Sequence, residues 1–350
     1  MEKTVVLITG CSSGIGLGLA VRLASDSSQR FKGNRQPRGA FGRCPCSWHP
    51  YTSPGLGNIF ATMRDLAKKE RLLECVRGCH RDTLEILQLD VTNPASLASA
   101  IQRVPEQRVD VLVCNAGVGL MGPLETCSQE AIKAVFDVNL FGTINTIQAF
   151  LPGMKCRKAG KIIITSSVGA LQGVPFNAVY CASKFAVEGL CESLAIVLQE
   201  FNIYITLIEC GPVNTSFLSN MQSMDPEGHE LQGLDPKTYA LYRQYSQHCQ
   251  SLFQDAAQDT DEVLQVFLDA ICTPNPPLRC FTTQFFMPLT RLKLLSPDGS
   301  EYVQAMHKFV FSTSNSGQGP AGSGRLYLGG GPGAPLLCVP GMRKDTEQGW

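Results

Sequence analysis

Ser167, Tyr180 and Lys184 are the residues whose types and spacing could carry proton chemistry. A tyrosine four positions before a lysine shares a helical face with it, so an ammonium can stand beside a phenol. A free phenol, with a pKa of about 10, is a weak acid at neutral pH. A unit charge about 4 Å away at an effective dielectric of about 20 is worth about 4 kcal/mol, or roughly three pKa units, which would make the phenol a usable general acid and base. By itself Tyr-x-x-x-Lys says little in a chain with 8 tyrosines. Order and surroundings give it weight.

The elements that must position these residues are legible upstream. Residues 4–9, Thr-Val-Val-Leu-Ile-Thr, read as a buried parallel strand, and a helix carrying Leu17, Leu19, Ala20 and Leu23 follows. Between them stand Gly10, Ser12, Gly14, Ile15 and Gly16, a glycine turn that lets a pyrophosphate approach the free N–H groups of a helix N-terminus. The spacing Gly10-x-x-x-Gly14-x-Gly16 differs from the G-x-G-x-x-G fingerprint. Further on, Asp110 to Gly117 is a strand ending in Asn115-Ala116-Gly117, Asn139 sits in a helical pattern, and Lys161 to Ser167 is a second buried strand ending in hydroxyls. Ligands of open α/β sheets bind beyond the carboxyl ends of the strands, where all these polar residues fall. The expected fold is therefore α/β, a Rossmann-type doubly wound parallel sheet forming a single domain with a helical substrate-binding extension.

In this order, Thr9 to Gly16, Asn115-Ala116-Gly117, Asn139, Ser167, Tyr180 and Lys184 resemble the short-chain dehydrogenase/reductase family. The resemblance implies a dehydrogenase domain over residues 1–311, with 212–311 binding substrate. It makes Tyr180 the general acid/base, has Lys184 lower its pKa and hold the nicotinamide ribose, and has Ser167, chosen over Ser166 by the spacing to Tyr180, bond the reacting oxygen. Asn139 would bend its helix so that a carbonyl holds a water near Lys184. Adenine would lie by Asp90 and Val91, and the nicotinamide amide by Val213 and Thr215. At the corner Thr62-Met63-Arg64-Asp65, Met63 cannot accept from a ribose 2′-hydroxyl, whereas Arg64 can pair with a phosphate, helped by Ser12. NADP(H) is favoured, with NAD(H) the alternative because Asp65 is close.

Val179 to Leu194, Leu207 to Val213 and Gly299 to His307 resemble the branch of the family that interconverts 17-keto and 17β-hydroxy steroids of the estrone/estradiol type. Leu171 to Val174 and Phe201 to Ile203 are more similar to retinol dehydrogenases. The implied substrate is a small apolar alcohol or ketone, steroid or retinoid, held by Ser167, Val174, Tyr180, Tyr245 and His248. Steroid-acting relatives bind the distal hydroxyl through a histidine, matched by His248, and a carboxylate, at whose position stands Phe309. Met221, Met224, Tyr239, Tyr242, Phe253, Phe281, Phe285 and Phe286 could line an apolar pocket. The family also implies a homodimer through the helix of Tyr180, where Phe185, Leu190, Leu194 and Val197 add apolar surface.

Thirty basic and thirty acidic side chains cancel, and no basic stripe appears, so nucleic acid is not an expected partner. No apolar run reaches the roughly 18 residues of a membrane span, and the start lacks the apolar region of a signal peptide, so the expected compartment is the cytoplasm. The 15 cysteines are scattered and odd in number, which reads as buried free thiols. Cys44-Pro-Cys46 with His49 lacks a second pair at zinc spacing, and no metal is expected. Residues 33–58, rich in Gly, Pro and Arg, fall where the first helix should pass quickly into the second strand, and read as a disordered insertion or an artefact of the gene sequence. The Gly/Pro-rich tail 312–350 is expected to be disordered.

Two other function classes compete. Gly10-Cys11-Ser12-Ser13-Gly14 matches the G-x-S-x-G elbow of serine hydrolases, but it follows the first strand, with no earlier strands to build the sheet and oxyanion loop. A non-catalytic dinucleotide-binding protein is the remote alternative, opposed by the four filled catalytic positions.

Overall fold

The computed structural model describes residues 4–25, 56–77, 83–217, 221–223, 231, 233–295 and 298–312. Most of the expected insertion, all but Ser312 of the expected tail, the Cys44–Cys46–His49 group and Met224 lie outside them.

Nine strands are present among the described residues: β1 (Thr4–Ile8), β2 (Leu56–Met63), β3 (Leu84–Gln88), β4 (Val111–Cys114), β5 (Leu120–Met121), β6 (Gly160–Thr165), β7 (Ile203–Glu209), β8 (Gln222–Ser223) and β9 (Arg279–Phe281). Seven form one sheet in the order β3-β2-β1-β4-β6-β7-β9, every pair parallel. β5 and β8 form a small separate sheet that the sequence pattern did not announce. The helices are α1 (Gly14–Ser25), α2 (Lys69–Cys75), α3 (Pro94–Arg103), α4 (Gln129–Phe136), α5 (Gly142–Arg157), α6 (Ala178–Leu198), α7 (Pro236–Ala256), α8 (Thr260–Cys272), α9 (Met287–Leu295) and α10 (Ser300–Phe311). The architecture is the doubly wound one expected, and β2 begins at Leu56, inside the range read as an insertion.

Both faces of the sheet are covered, which is why its strands read as continuous apolar runs. Alternation along β1 sends Val6 and Ile8 to one face, against Leu19 and Leu23 of α1 and Val263 and Phe267 of α8. Leu7 goes to the other, against Ile147, Phe150 and Met154 of α5 and Val187 of α6. A third cluster, with Tyr242 and Tyr245 of α7, Leu289 of α9 and Tyr302, Met306 and Val310 of α10, forms a helical cap. Asp235, accepting from the amides of Lys237 and Thr238 at 3.0 Å each, starts α7 before Pro236. The order reverses between β1 and β4, the place where doubly wound sheets open a crevice.

Candidate active site

That crevice is part of one continuous cavity of about 940 Å³, which runs from the glycine turn past Ser167, Tyr180 and Lys184 to His248 and Phe309 in the cap. Of the residues expected to act in catalysis or to hold the cofactor and the substrate's polar groups, all but Gly16 and Asn139 line it.

The glycine turn is held by backbone geometry. Gly10 has φ of 74° and Gly14 of 56°, values that L side chains rarely adopt. A Cβ at Gly16 would lie 2.4 Å from both Asn115 Nδ2 and the Gly10 carbonyl oxygen. Gly16 therefore permits close helix–strand packing and does not line the cavity. Asn115 ties the turn to the sheet, donating to the carbonyls of Thr9 (3.0 Å) and Gly10 (3.2 Å) and accepting from Thr165 Oγ1 (3.1 Å). The Asn115 and Ala116 amides both donate to Thr9 Oγ1, at 2.9 and 3.0 Å. Thr215 stands over Gly14, where a Cβ would meet its Cβ at 3.4 Å.

At the far corner the sequence reading needs correcting. Met63 is buried among Leu72, Val76 and other core side chains and does not line the cavity, so its chemistry cannot select the cofactor. Asp65 is also committed: its carboxylate accepts from the Ala67 amide at 2.9 Å as the cap of a short 3₁₀ turn. Arg64, Lys68 and Arg71 line the cavity instead, with Glu70 among them. Their spacing of four and three residues was available in the sequence and brings them to one side of the rim. The Asp90 carboxylate accepts from the Thr92 amide (2.9 Å) and hydroxyl (2.7 Å), leaving its edge of the cavity held but not free. Open glycines at a helix N-terminus and a basic rim suit a pyrophosphate-bearing dinucleotide.

In the centre, α6 carries Tyr180 and Lys184 on one face, as expected. Lys184 is buried and donates from Nζ to the Thr165 carbonyl at 2.8 Å. Burial lowers its pKa, opposed by the nearby Cys210, Glu209 and Glu188. Tyr180 departs from the expectation of a lowered pKa: burial raises it well above the usual phenol value, and the hydrogen bond with Ser167 only partly opposes this. Lys184 Nζ stands 6.0 Å from the Tyr180 ring centroid and is committed to Thr165, so burial outweighs its charge here. The phenol is held protonated, ready to donate.

The two serines divide. Ser166 Oγ donates to the buried Glu188 at 2.6 Å, turning it behind the sheet end. Ser167 Oγ accepts from the Gly169 amide at 3.1 Å, capping the 3₁₀ turn Val168–Ala170, and is the serine that stands beside Tyr180, both within 3.5 Å of a Cβ built on Gly169. Asn139 lies in a π-helical turn, Asp137–Phe141, between α4 and α5. It is buried, its side chain accepts from Val118 N and donates to Val118 O and Ser183 Oγ, each at 2.9 Å, and its carbonyl accepts from Thr143 Oγ1 at 2.8 Å. A Cβ on Gly117 would come 3.4 Å from Asn139 Oδ1 and 3.7 Å from Lys184 Nζ, so Asn139 supports the site from behind Gly117.

The cap closes the other end. Val174, Tyr245, His248, Met221, Phe253 and Phe286 line it, while Tyr242 is fully buried core and Tyr239, Phe281 and Phe285 do not line it. Tyr245 OH accepts from Asn177 Nδ2 at 2.6 Å, a partner the sequence reading missed. His248 meets the Phe309 ring edge-on at 5.1 Å, its buried Nε2 has no hydrogen-bond partner, and burial lowers its pKa. Glu188, Glu209 and Arg279 beneath the centre were also missed, because nothing in their spacing links them.

Residues 56–226 match the family described as short chain dehydrogenase. The chain is 50% identical over 313 residues to 17-beta-hydroxysteroid dehydrogenase type 1 of Homo sapiens, covering 89% of this chain and 87% of that protein. It is 43% identical over 307 residues to Retinol dehydrogenase 8 of Homo sapiens, covering 87% and 90%. A solved short chain dehydrogenase/reductase from Burkholderia phymatum in complex with NAD, 22% identical, superposes with a TM-score of 0.63 over 84% of this chain and 93% of that one, which speaks to the fold. The serine, phenol and ammonium converge beside the switch point of a doubly wound sheet, in a chain half identical to a relative along nearly its whole length, and the chain belongs to the short-chain dehydrogenase/reductase family.

Proposed function

We propose that this chain is an NADP(H)-dependent 17β-hydroxysteroid dehydrogenase, interconverting the 17-keto and 17β-hydroxy groups of steroids of the estrone/estradiol type. The observation that carries this reading is the single cavity, which joins a dinucleotide cradle to an apolar pocket with Ser167, Tyr180 and Lys184 between them. The nicotinamide supplies or accepts the hydride when bound. Tyr180 gives the proton to the carbonyl oxygen in reduction and takes it from the alcohol in oxidation, with Ser167 bonding the same oxygen. Lys184 holds the nicotinamide ribose, and Asn139 fixes the backbone beside it. Arg64, with Lys68 and Arg71 on the same rim, favours the 2′-phosphate of NADP over NAD.

Retinal is the second reading, favoured by one observation: Phe309 presents its ring to His248 where a carboxylate was expected for a phenolic steroid, which makes that end of the cavity more apolar. Assays with NADPH and estrone, androstenedione or all-trans-retinal, compared by kcat/KM, test the choice. A best rate with retinal would replace the steroid reading, and no turnover of any would remove both.

The exposed apolar residues Phe185, Ile196 and Val197 on α6, with Phe141 just before α5, support a symmetric homodimer through these helices. Leu190 and Leu194, also expected on this surface, are partly covered, and Ile196 is exposed instead. Light scattering that gives a monomer mass at micromolar concentration would remove the dimer. The free thiols among the described residues fit a reducing compartment, the cytoplasm, which cell fractionation would test.

A further inference from the structure

Behind the reaction centre lies a buried cluster that the chemistry above does not use. Glu188, one turn after Lys184 on α6, accepts from Ser166 Oγ on one oxygen and from Arg279 on the other, at 2.7 and 3.1 Å. Arg279, at the start of β9, also pairs with Glu192 on the same helix. Glu209, the last residue of β7, has no exposed surface, and neither carboxyl oxygen has a hydrogen-bond partner. Arg279 Nε approaches it to 3.5 Å, but donates its hydrogen to Glu188. The backbone on both sides of Glu209 holds the catalytic turn: Ser166 N donates to the Ile208 carbonyl and Val168 N to the Cys210 carbonyl, both at 2.9 Å, with Ser167 between.

An ionised carboxylate in the position of Glu209 would be fully buried with no hydrogen bond and only a guanidinium already shared with Glu188 and Glu192 beside it, which disfavours the charged form. A neutral carboxyl beside an ionised one avoids this, because two close carboxylates disfavour each other's ionisation. We propose that Glu209 is kept as a neutral carboxyl behind Ser167, Tyr180 and Lys184, and that with Glu188 it forms a positioning element: Glu188 anchors the Ser166–Ser167 turn, and Glu209 sets the charge that Lys184 and Tyr180 face. The proposal rests on the dehydrogenase reading only for its catalytic consequence.

Burial, and then the charge of Glu188, raise the pKa of Glu209 to about 9. The groups around it support the assignment: Lys184, Cys191 and Glu192 on α6, Arg279 on β9 and Cys210 on β7. Loss of the proton adds a negative charge that raises the pKa of Tyr180 further, so alcohol oxidation should gain less from alkalinity around that pH.

The test uses the full chain. Infrared difference spectra between neutral and strongly alkaline pH should contain the C=O stretch of a neutral carboxylic acid at neutral pH, bleaching near pH 9 and missing in Glu209→Gln. A glutamine keeps the shape and cannot ionise, so the ratio of alkaline to neutral oxidation rate should rise by about threefold or more over wild type. No neutral carboxyl band in the wild type, or a band that survives Glu209→Gln, overturns the proposal. Should that variant fail to fold, the wild-type band and its bleaching still decide. Absence of steroid or retinal turnover in an enzyme that displays the band would count against the substrate reading and leave the pair standing.

Discussion

The two ends of the cavity are built in different ways. The cofactor end is made of backbone: two glycines with positive φ, a third with no room for a Cβ, and Asn115 and Thr9 stitching β1 to β4. The substrate end is made of long-range side-chain ties. Lys293 of α9 donates to the Leu171 carbonyl at 2.8 Å, Thr290 to Gln172 at 3.3 Å, and Tyr302 of α10 to the Gly173 carbonyl, so two C-terminal helices hold the loop that carries Val174. A backbone cradle admits few residues at each position, and so leaves a motif. A cap held by side chains can exchange one contact at a time, and so can change specificity while the fold stays.

The largest effect should come where the two ends meet. Tyr180→Phe is expected to lower kcat by about 10²- to 10⁴-fold while NADPH fluorescence titration gives an unchanged affinity. A variant keeping more than about a tenth of wild-type kcat would contradict the proton-donor role.

Next comes a substitution that separates core from cradle. Met63→Asp would bury a carboxylate in the cluster with Leu72 and Val76, and should destabilise the fold by several kcal/mol without improving NADH binding. A variant with wild-type melting temperature and a new preference for NADH would place that side chain in the cradle after all. Arg64→Ala acts on the rim instead, and should weaken NADPH roughly tenfold, sparing NADH, with the difference shrinking as salt is added. Equal loss of both cofactors would show that Arg64 does not read the phosphate.

The raised pKa of Tyr180 fixes the sign of the pH dependence. Below that pKa the phenol is protonated, so reduction should stay level from neutral to mildly alkaline pH. Oxidation needs the proton removed, and should rise with pH by up to about tenfold per unit until another group intervenes. Opposite slopes in rate profiles at saturating cofactor would sink this account. The smallest effect belongs to the cap: Phe309→Glu should favour estrone over androstenedione by about 1 kcal/mol, the worth of one added hydrogen bond to the phenolic hydroxyl. Equal kcat/KM changes for both steroids would mean that position 309 does not meet that end of the substrate.

What could be read in the sequence follows the same division. The strands that end in Asn115 and Ser167, the glycine turn and the helix of Tyr180 and Lys184 were legible because buried parallel strands and helical spacing write directly into residue order. Met63 was misread because strand alternation at its end, not residue type, decides which way it faces. Tyr180 was misread because a lysine one turn away was credited with a charge effect that burial overrides. Glu188, Glu209 and Arg279 come from three elements and are neighbours only once β7 and β9 pair. The cap was least legible, since Tyr242 and Tyr245 differ only in which side of α7 meets the cavity.

The π-helical turn at Asp137–Phe141 separates two tasks along one run of helix. A turn of this kind is an α-helix with one residue too many, and the surplus is absorbed locally, so the helix after it keeps its phase. Each residue of an ordinary α-helix turns the chain by about 100°, and an insertion not absorbed in this way would have swung the apolar face of α5 off the sheet. Removing Asn139 from this stretch should therefore leave Ile147, Phe150 and Met154 seated as they are and take away the amide that ties Val118 to Ser183. The fold could have existed without that residue. That residue serves the site next door and not the seating of α5 on the sheet.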